Sequence, residues 1–325
     1  MPGRMKGFEV YRRKKYAALL SFLTVLWYVA MFAAALWCCG FFHWFCGWSL
    51  MRTAASGVGL AVLLAGAVVR RRFGIFLTLF EVSLILFFVL VDFRGAFPED
   101  NWTVECGRVA RIREFSGNMV TISDIRDFRY RTPEDFDVFY RTGTFDISKL
   151  DSLDLIQSHW DGLCAVSHTL FSFNFSDGRK LVLSFEPRVP AGMRGGQFFP
   201  GIYKRYGLFM VLSTPEDIID LRTKYRKETV FRYRMNLAPE VVRKIFIATV
   251  RRAMVLEKHP EFYHTLFANC TTAFVPLIQT AEPGFPGGIR LIFNGYFDRL
   301  LFETGYLAKG DGESFRALKS RSLIQ

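Results

Sequence analysis

The sequence contains no Cys-X-X-Cys pair, and its 5 histidines and 6 cysteines are scattered rather than grouped as paired ligands. That absence argues against a structural zinc site, and neither a metal nor an organic cofactor is expected. The cysteines stand at 38, 39, 46, 106, 164 and 270, a pattern that demands no disulfide, even where an oxidising compartment would permit one. Residues 95–325 also lack a strong surplus of either charge: 31 Lys and Arg stand against 27 Asp and Glu, a net +4. A nucleic-acid-binding domain concentrates positive charge in itself, so that class is excluded. Residues 16–37 lack charge altogether, and no small-residue cleavage site follows them. They therefore do not read as a removable signal.

What is present begins with three apolar runs, at 16–37, 53–69 and 73–91. Each falls within or close to the length a bilayer-crossing helix needs. Residues 1–94 carry 11 Lys and Arg against 3 Asp and Glu, a net +8. Six of these positive charges precede residue 16 and three more, Arg70, Arg71 and Arg72, separate the second run from the third. The connection between the first two runs holds only Arg52. By the distribution of Lys and Arg the N-terminus is cytoplasmic and everything after residue 92 is extracytoplasmic, in a bacterium periplasmic, on an inner-membrane, multi-pass protein. Glu81 lies inside the third run; a bundle-facing, protonated carboxyl is favoured over a direct role. Phe41, Phe42, Trp44, Phe45 and Trp48 read as an interfacial belt.

Residues 95–158 read as a β-rich lead-in, with a hairpin around Ser116-Gly117-Asn118 and no recognisable chemistry. The next hairpin is different. On the strand 165–175, His168, Leu170, Ser172 and Asn174 share one face, while Thr169, Phe171, Phe173 and Phe175 share the other. A loop at 176–178 pairs residues whose numbers sum to 354. This sets Phe171 against Leu183 and Phe173 against Leu181, an all-apolar face, and His168 against Glu186. A slip of one residue would mix the faces. The register that keeps them separate thus places a carboxylate beside the histidine, at the ~5 Å spacing of cross-strand neighbours.

The periodicity of Val241, Val242, Ile245, Phe246, Val250 and Met254 predicts an amphipathic helix over 239–258, ended by His259-Pro260. Downstream, Asn269 is placed to cap a helix opening with Cys270, whose thiol would then feel the positive end of the helix dipole. Backbone N–H groups at Cys270 and Thr271 could cradle an oxyanion. Pro276 makes that helix short or kinked. Taken singly, a cysteine is more often packing and a strand histidine more often a satisfied partial-core residue. The paired His168 and Glu186 together with a capped Cys270 raise the case for a nucleophile and its base. Cys164 shares the parity of His168 but has no helix to activate it, and ranks below Cys270.

At these residues the chain resembles the bacterial Lnb N-terminal periplasmic domain family. The likeness rests on Val166-Ser167-His168 with its Phe-rich continuation and Asp177-Gly178 turn, Ser184-Phe185-Glu186-Pro187-Arg188, and Leu221-Arg222-Thr223-Lys224-Tyr225-Arg226. It continues in Glu261-Phe262-Tyr263-His264-Thr265-Leu266 and Asn269-Cys270-Thr271-Thr272, and more weakly in Phe293-Asn294-Gly295-Tyr296. Such domains are similar to permuted papain-like, NlpC-type thiol enzymes, in which the histidine strands precede the cysteine helix. The resemblance implies an extracytoplasmic α+β fold, with a permuted papain-like catalytic domain over 159–310 and a tail at 311–325. It further implies a lipoprotein N-acyltransferase. Cys270 would be the nucleophile, His168 the base and Glu186 the orienting carboxylate, with Asn269 and Thr271 at the cap. His264 stands where an asparagine is expected, and a neutral role is favoured for it.

On that reading the partners are a membrane phospholipid as acyl donor and a diacylglyceryl lipoprotein as acceptor. Arg188, Arg222, Tyr225 and Arg226 are candidates to grip the lipid phosphate, although a solvated or structural role for each is as well supported. Two other functions stay open: a membrane-tethered cysteine hydrolase of peptidoglycan or peptides using the same Cys and His, and a non-catalytic receptor or assembly factor with a structural Cys270.

Overall fold

The computed structural model describes residues 101–160, 164–193 and 198–324, together with positions 16, 19, 22 and 26. The chain divides into two units, Met1–Ala96 and Phe97–Gln325. Of the first, Tyr16, Leu19, Phe22 and Leu26 are helical with exposed side chains. The three expected spans otherwise lie outside the described residues, as do Glu81 and Cys38, Cys39 and Cys46. Among the described residues no helix is long and apolar enough to cross a membrane.

The second unit is built on strands β1 (Arg111–Ser116), β2 (Met119–Arg126), β3 (Arg129–Tyr130), β4 (Phe136–Asp137), β5 (Tyr140–Asp146) and β6 (Leu150–His159). These are followed by β7 (His168–Phe175), β8 (Lys180–Arg188), β9 (Gly207–Ser213), β10 (Thr229–Arg234) and β11 (Leu323–Ile324). The helices are α1 (Phe198–Ile202), α2 (Pro215–Asp220), α3 (Pro239–Lys258), α4 (Val275–Gln279), α5 (Phe297–Glu303) and α6 (Phe315–Arg321). One sheet runs β1-β2-β9-β8-β7-β6-β10-β11, with β5 added beside β2, while β3 and β4 form a separate ribbon. Among the described strands only the pairing of Arg126 with Ser213, between β2 and β9, is parallel.

This sheet does not divide at residue 158. The expected lead-in and the histidine hairpin share it, because β6 hydrogen-bonds along the whole of β7, from Leu150↔Phe175 to Ser158↔His168. Nor do residues 311–324 of the expected tail hang free: Ser314 caps α6 and β11 adds to the sheet edge at Val230↔Ile324. The shared sheet was hard to see in the sequence for one reason. The central strands are covered on both faces, so their burial is continuous rather than alternating.

The hairpin of β7 and β8 has the expected register, Leu170↔Ser184, Phe171↔Leu183, Ser172↔Val182 and Phe173↔Leu181. Gly178 closes its turn at φ +86°, a conformation that favours glycine. On the apolar face lies α3, which starts with a proline suited to the first helical position and carries Glu240 in its first turn and Lys258 in its last, matching the helix dipole. Its buried stripe of Val242, Ile245, Phe246 and Val250 follows the helical period. Phe246 meets Phe173 edge-on, ring centres 5.0 Å apart, and Phe274 lies 3.9 Å from Phe171. Phe274 follows Cys270 by four residues, so this aromatic packing seats the cysteine segment on β7.

Candidate active site

Two residues beyond the recorded ladder of β7 and β8, the side chains of His168 and Glu186 meet, with Nε2 to Oε1 at 3.3 Å. Ser184 completes the contact: its hydroxyl donates to Glu186 Oε1 at 3.0 Å and lies 2.7 Å from His168 Nε2. A hydroxyl has one proton, and here it goes to the carboxylate, so Ser184 Oγ accepts from Nε2–H. The neutral ring therefore carries its lone pair on Nδ1, and His168 and the Cys270 thiol lie near enough to shift each other's titration. Glu186 is itself clamped by Arg222 at 3.3 Å and Arg126 at 4.0 Å. Arg126 in turn bonds the buried Asp217 at 2.9 Å.

The charge states follow from these contacts. Burial opposes an ionised Glu186, but His168, Arg126 and Arg222 hold its carboxyl well below the usual range. Burial and the nearby Arg222 push His168 down, yet its bonds to Cys270 and Glu186 leave it above the ordinary histidine value. Burial would raise the Cys270 thiol; the hydrogen bond and charge of His168 outweigh it and set the thiol low. An adjacent imidazolium and thiolate stabilise each other, which is how a cysteine becomes nucleophilic near neutral pH. Cys106 makes the contrast: it is equally buried, its thiol donates to Pro187 O at 3.7 Å, and burial raises it.

Cys270 does not open a helix. It lies in a turn, and α4 begins only at Val275, because Pro276 has no N–H for the carbonyl of Thr272. Asn269 does cap that turn: its Oδ1 accepts from Thr271 N and Thr272 N, both at 3.0 Å, while its Nδ2 donates to Thr265 O. The Thr271 N–H expected to face an oxyanion is thus already engaged. The Cys270 N–H donates to no group among the described residues and remains the available backbone donor.

A second donor comes from a residue that the sequence offered only within the weaker likeness at 293–296, without a role. Asn294 Nδ2 lies 3.3 Å from Cys270 Sγ and 3.2 Å from Thr271 Oγ1. Its Oδ1 accepts from Ser167 N at 2.9 Å, and its carbonyl accepts from Gln157 Nε2 at 2.7 Å. A buried amide with both ends committed is held in one orientation. Its neighbour Gly295 explains the close approach: a Cβ there would fall 2.1 Å from Cys164 O. An Asn-Gly pair in the apolar run 288–296 was the available signal.

A cleft of about 740 Å³ opens beside the pair, lined by His168, Glu186, Arg126, Arg222, Arg226 and Phe198 among others. It reaches His168 but not the thiol, which is 6% exposed. Of the four residues considered for lipid phosphate, Arg222 and Arg226 line this cleft. Arg222 is buried and bound to Glu186 and to Ile218 O. Arg226 is 45% exposed and 3.8 Å from Glu228. Arg188 instead bonds Cys106 O and stacks on Trp102, and the Tyr225 ring packs 5.9 Å from that of Tyr130. Cys164 is exposed and separate from the pair. His264 Nδ1 accepts from Leu266 N at 3.1 Å, a turn-forming role.

No curated protein and no solved structure matches the chain. A family match covers residues 136–295, from β4 to the segment that carries Asn294, and so contains His168, Glu186, Cys270 and Asn294 together. Over that stretch the chain matches the family described as the Lnb N-terminal periplasmic domain, which points to an extracytoplasmic domain.

Proposed function

We propose that this protein is a lipoprotein N-acyltransferase working through a thioester on Cys270. The observation that carries this reading is the grouping of Cys270, His168 and Glu186, with His168 3.3 Å from Glu186 and Asn294 3.3 Å from the Cys270 sulfur, in which the thiol is lowered and the histidine raised. The match to the Lnb family supports the choice of acyl transfer over other thiol chemistry.

In the first half-reaction Cys270 Sγ attacks the ester carbonyl carbon of a membrane phospholipid. The S–C bond forms, the carbonyl becomes an oxyanion, and the Cys270 N–H and Asn294 Nδ2 donate to it. Collapse breaks the ester C–O bond, and the imidazolium of His168 gives its proton to the leaving lysophospholipid oxygen. In the second half-reaction the α-amine of a diacylglyceryl lipoprotein attacks the thioester. His168 takes the amine proton, the C–N bond forms, the C–S bond breaks and Sγ leaves as thiolate. Glu186 keeps the ring oriented and stabilises its positive form throughout. At the cleft mouth Arg226 is the candidate contact for lipid phosphate.

Intact mass after incubation with a defined phospholipid, without acceptor, tests this. An added acyl mass that hydroxylamine removes, absent from Cys270→Ala and His168→Ala, is the expected result. A reactive thiol that forms no adduct would sink the acyltransferase and favour a cysteine hydrolase. A thiol inert to alkylation would leave the receptor reading.

A further inference from the structure

The exposed aromatic side chains of residues 101–324 are not scattered. Among the described residues six are exposed: Phe139, Trp160, Phe198, Phe267, Phe293 and Tyr296. All but Phe139 belong to segments that touch the thiol or line its cleft, and Ile289, at 77% the most exposed large apolar side chain among the described residues, lies on one of those segments. The contacts that join them are explicit. Trp160 and Phe198 line the cleft beside His168. Thr265, in the turn that carries Phe267 at 70% exposure, donates to Phe198 O at 2.7 Å. Ile289, Phe293 and Tyr296 occupy the segment Gly288–Tyr296, whose Asn294 touches Cys270. Tyr296 and Trp160 share a second, smaller hollow. These contacts tie the exposed apolar side chains to the thiol, its cleft and the adjoining hollow, an apolar collar beside the site.

An apolar collar on a water-facing surface marks an interaction site. Its composition selects the partner. Phe, Trp and Tyr at a rim, accompanied by the exposed Arg290 on the same segment and Arg226 at the cleft mouth, match the amphipathic and cationic character of surfaces that enter the headgroup region. Glu105 and Glu228 also border the cleft, so the collar is not simply basic. The apolar runs at 16–37, 53–69 and 73–91, close upstream of this unit, keep a bilayer within reach.

We propose that the collar of Trp160, Phe198, Phe267, Ile289, Phe293 and Tyr296 is a bilayer-docking surface, set into the outer leaflet of the membrane so that the catalytic opening meets lipid rather than bulk water. A hydrolase of soluble polar substrates has no use for such a rim. The proposal does not require acyl transfer and goes beyond it, in stating where the opening faces.

The test uses the full chain in nanodiscs of phosphatidylethanolamine and phosphatidylglycerol containing a trace of phospholipid with a diazirine in its acyl chain. A parallel sample receives a water-soluble diazirine, and peptides from both are mapped by mass spectrometry. Peptides holding Phe267 and Ile289 to Tyr296 should take at least about threefold more lipid-phase label than those holding Phe139 and Val255, exposed apolar positions outside the collar. In Phe267→Ser/Ile289→Ser that excess should disappear while iodoacetamide still alkylates Cys270 at the wild-type rate. Aqueous label alone on the collar would overturn the proposal. So would a collar protected from both reagents, because another segment or chain would then cover it. None of these readouts depends on thioester formation, so a failed acylation assay and a failed docking are separate results.

Discussion

Asn294 and Cys270 stand 24 residues apart in sequence and 3.3 Å apart at Nδ2 and Sγ. That contact gives the site a side-chain donor where the Thr271 backbone N–H is already bonded to Asn269. Removing an oxyanion donor of this kind costs about 10²–10³ in rate. Asn294→Ala should therefore slow acylation of Cys270 by about that factor, and it should also raise the thiol pKa. Asn294→Asp should raise it further, by setting a carboxylate against the thiolate. Iodoacetamide alkylation followed against pH measures both shifts. An unchanged acylation rate in Asn294→Ala would remove it from the mechanism.

Gly295 supplies a steric test of the same contact. A methyl group there would stand 2.1 Å from Cys164 O and 2.6 Å from the Ala165 carbonyl carbon, both backbone atoms that cannot swing aside. Gly295→Ala should push the 288–296 segment outward, break the bond from Gly295 N to Ala165 O, and carry Asn294 away from the sulfur. The expected result is an acylation defect no smaller than that of Asn294→Ala, with faster alkylation of Cys270 as its cover lifts. Wild-type rates in both assays would show that the segment is not held by this close approach.

The sequence made half of this arrangement legible. Parity and a glycine turn sufficed to pair Leu170 with Ser184 and so bring His168 to Glu186, because strand register is arithmetic once one face is apolar. The helix Pro239–Lys258 was equally legible from its period and its flanking prolines. Three things were not. Asn294 reaches Cys270 through a non-helical kink at Phe293, a tertiary accident that no local period encodes. The Cys270 turn has the capping residue of a helix, but Pro276 delays that helix to Val275. Glu186 meets Arg126 and Arg222 across 60 and 36 residues of chain, and the register of one hairpin says nothing about either. Arg222 read from sequence as a possible phosphate ligand; its burial against Glu186 makes it first a counter-ion.

The aromatic contact beneath the cysteine carries a stability prediction. Phe274 is fully buried, 3.9 Å from Phe171 and 6.4 Å from Phe173. Phe274→Ala should cost about 3–5 kcal/mol and lower activity beyond what the folded fraction explains, since the ring seats the Cys270 turn on β7. Phe274→Leu, which keeps most of the volume, should recover most of both. Thermal unfolding and acylation of the same samples check this. Equal losses in the two variants would mean that ring packing is not what places the turn.

Glu186→Gln should act on pH dependence, with a definite sign. The carboxylate favours the imidazolium of His168, and the imidazolium favours the thiolate of Cys270. Without the negative charge His168 falls and Cys270 rises, so the alkylation profile should move to higher pH. The reactive ion pair exists above the pKa of the thiol and below that of the histidine, and this window should narrow from both sides. Stability follows the same residue in a different range. The folded pKa of Glu186 is depressed, so its contribution is fully present above the unfolded value of about 4.3 and is lost as pH falls through the lower folded value. At neutral pH the variant, which leaves Arg126 and Arg222 short of a counter-charge, should therefore unfold more readily than the wild type. The gap should close in acid, where the wild-type carboxyl is protonated too. Denaturant midpoints taken across pH would show this convergence. A gap that stays constant into acid would mean that Glu186 contributes by shape and hydrogen bonding, and that the low thiol pKa has another source.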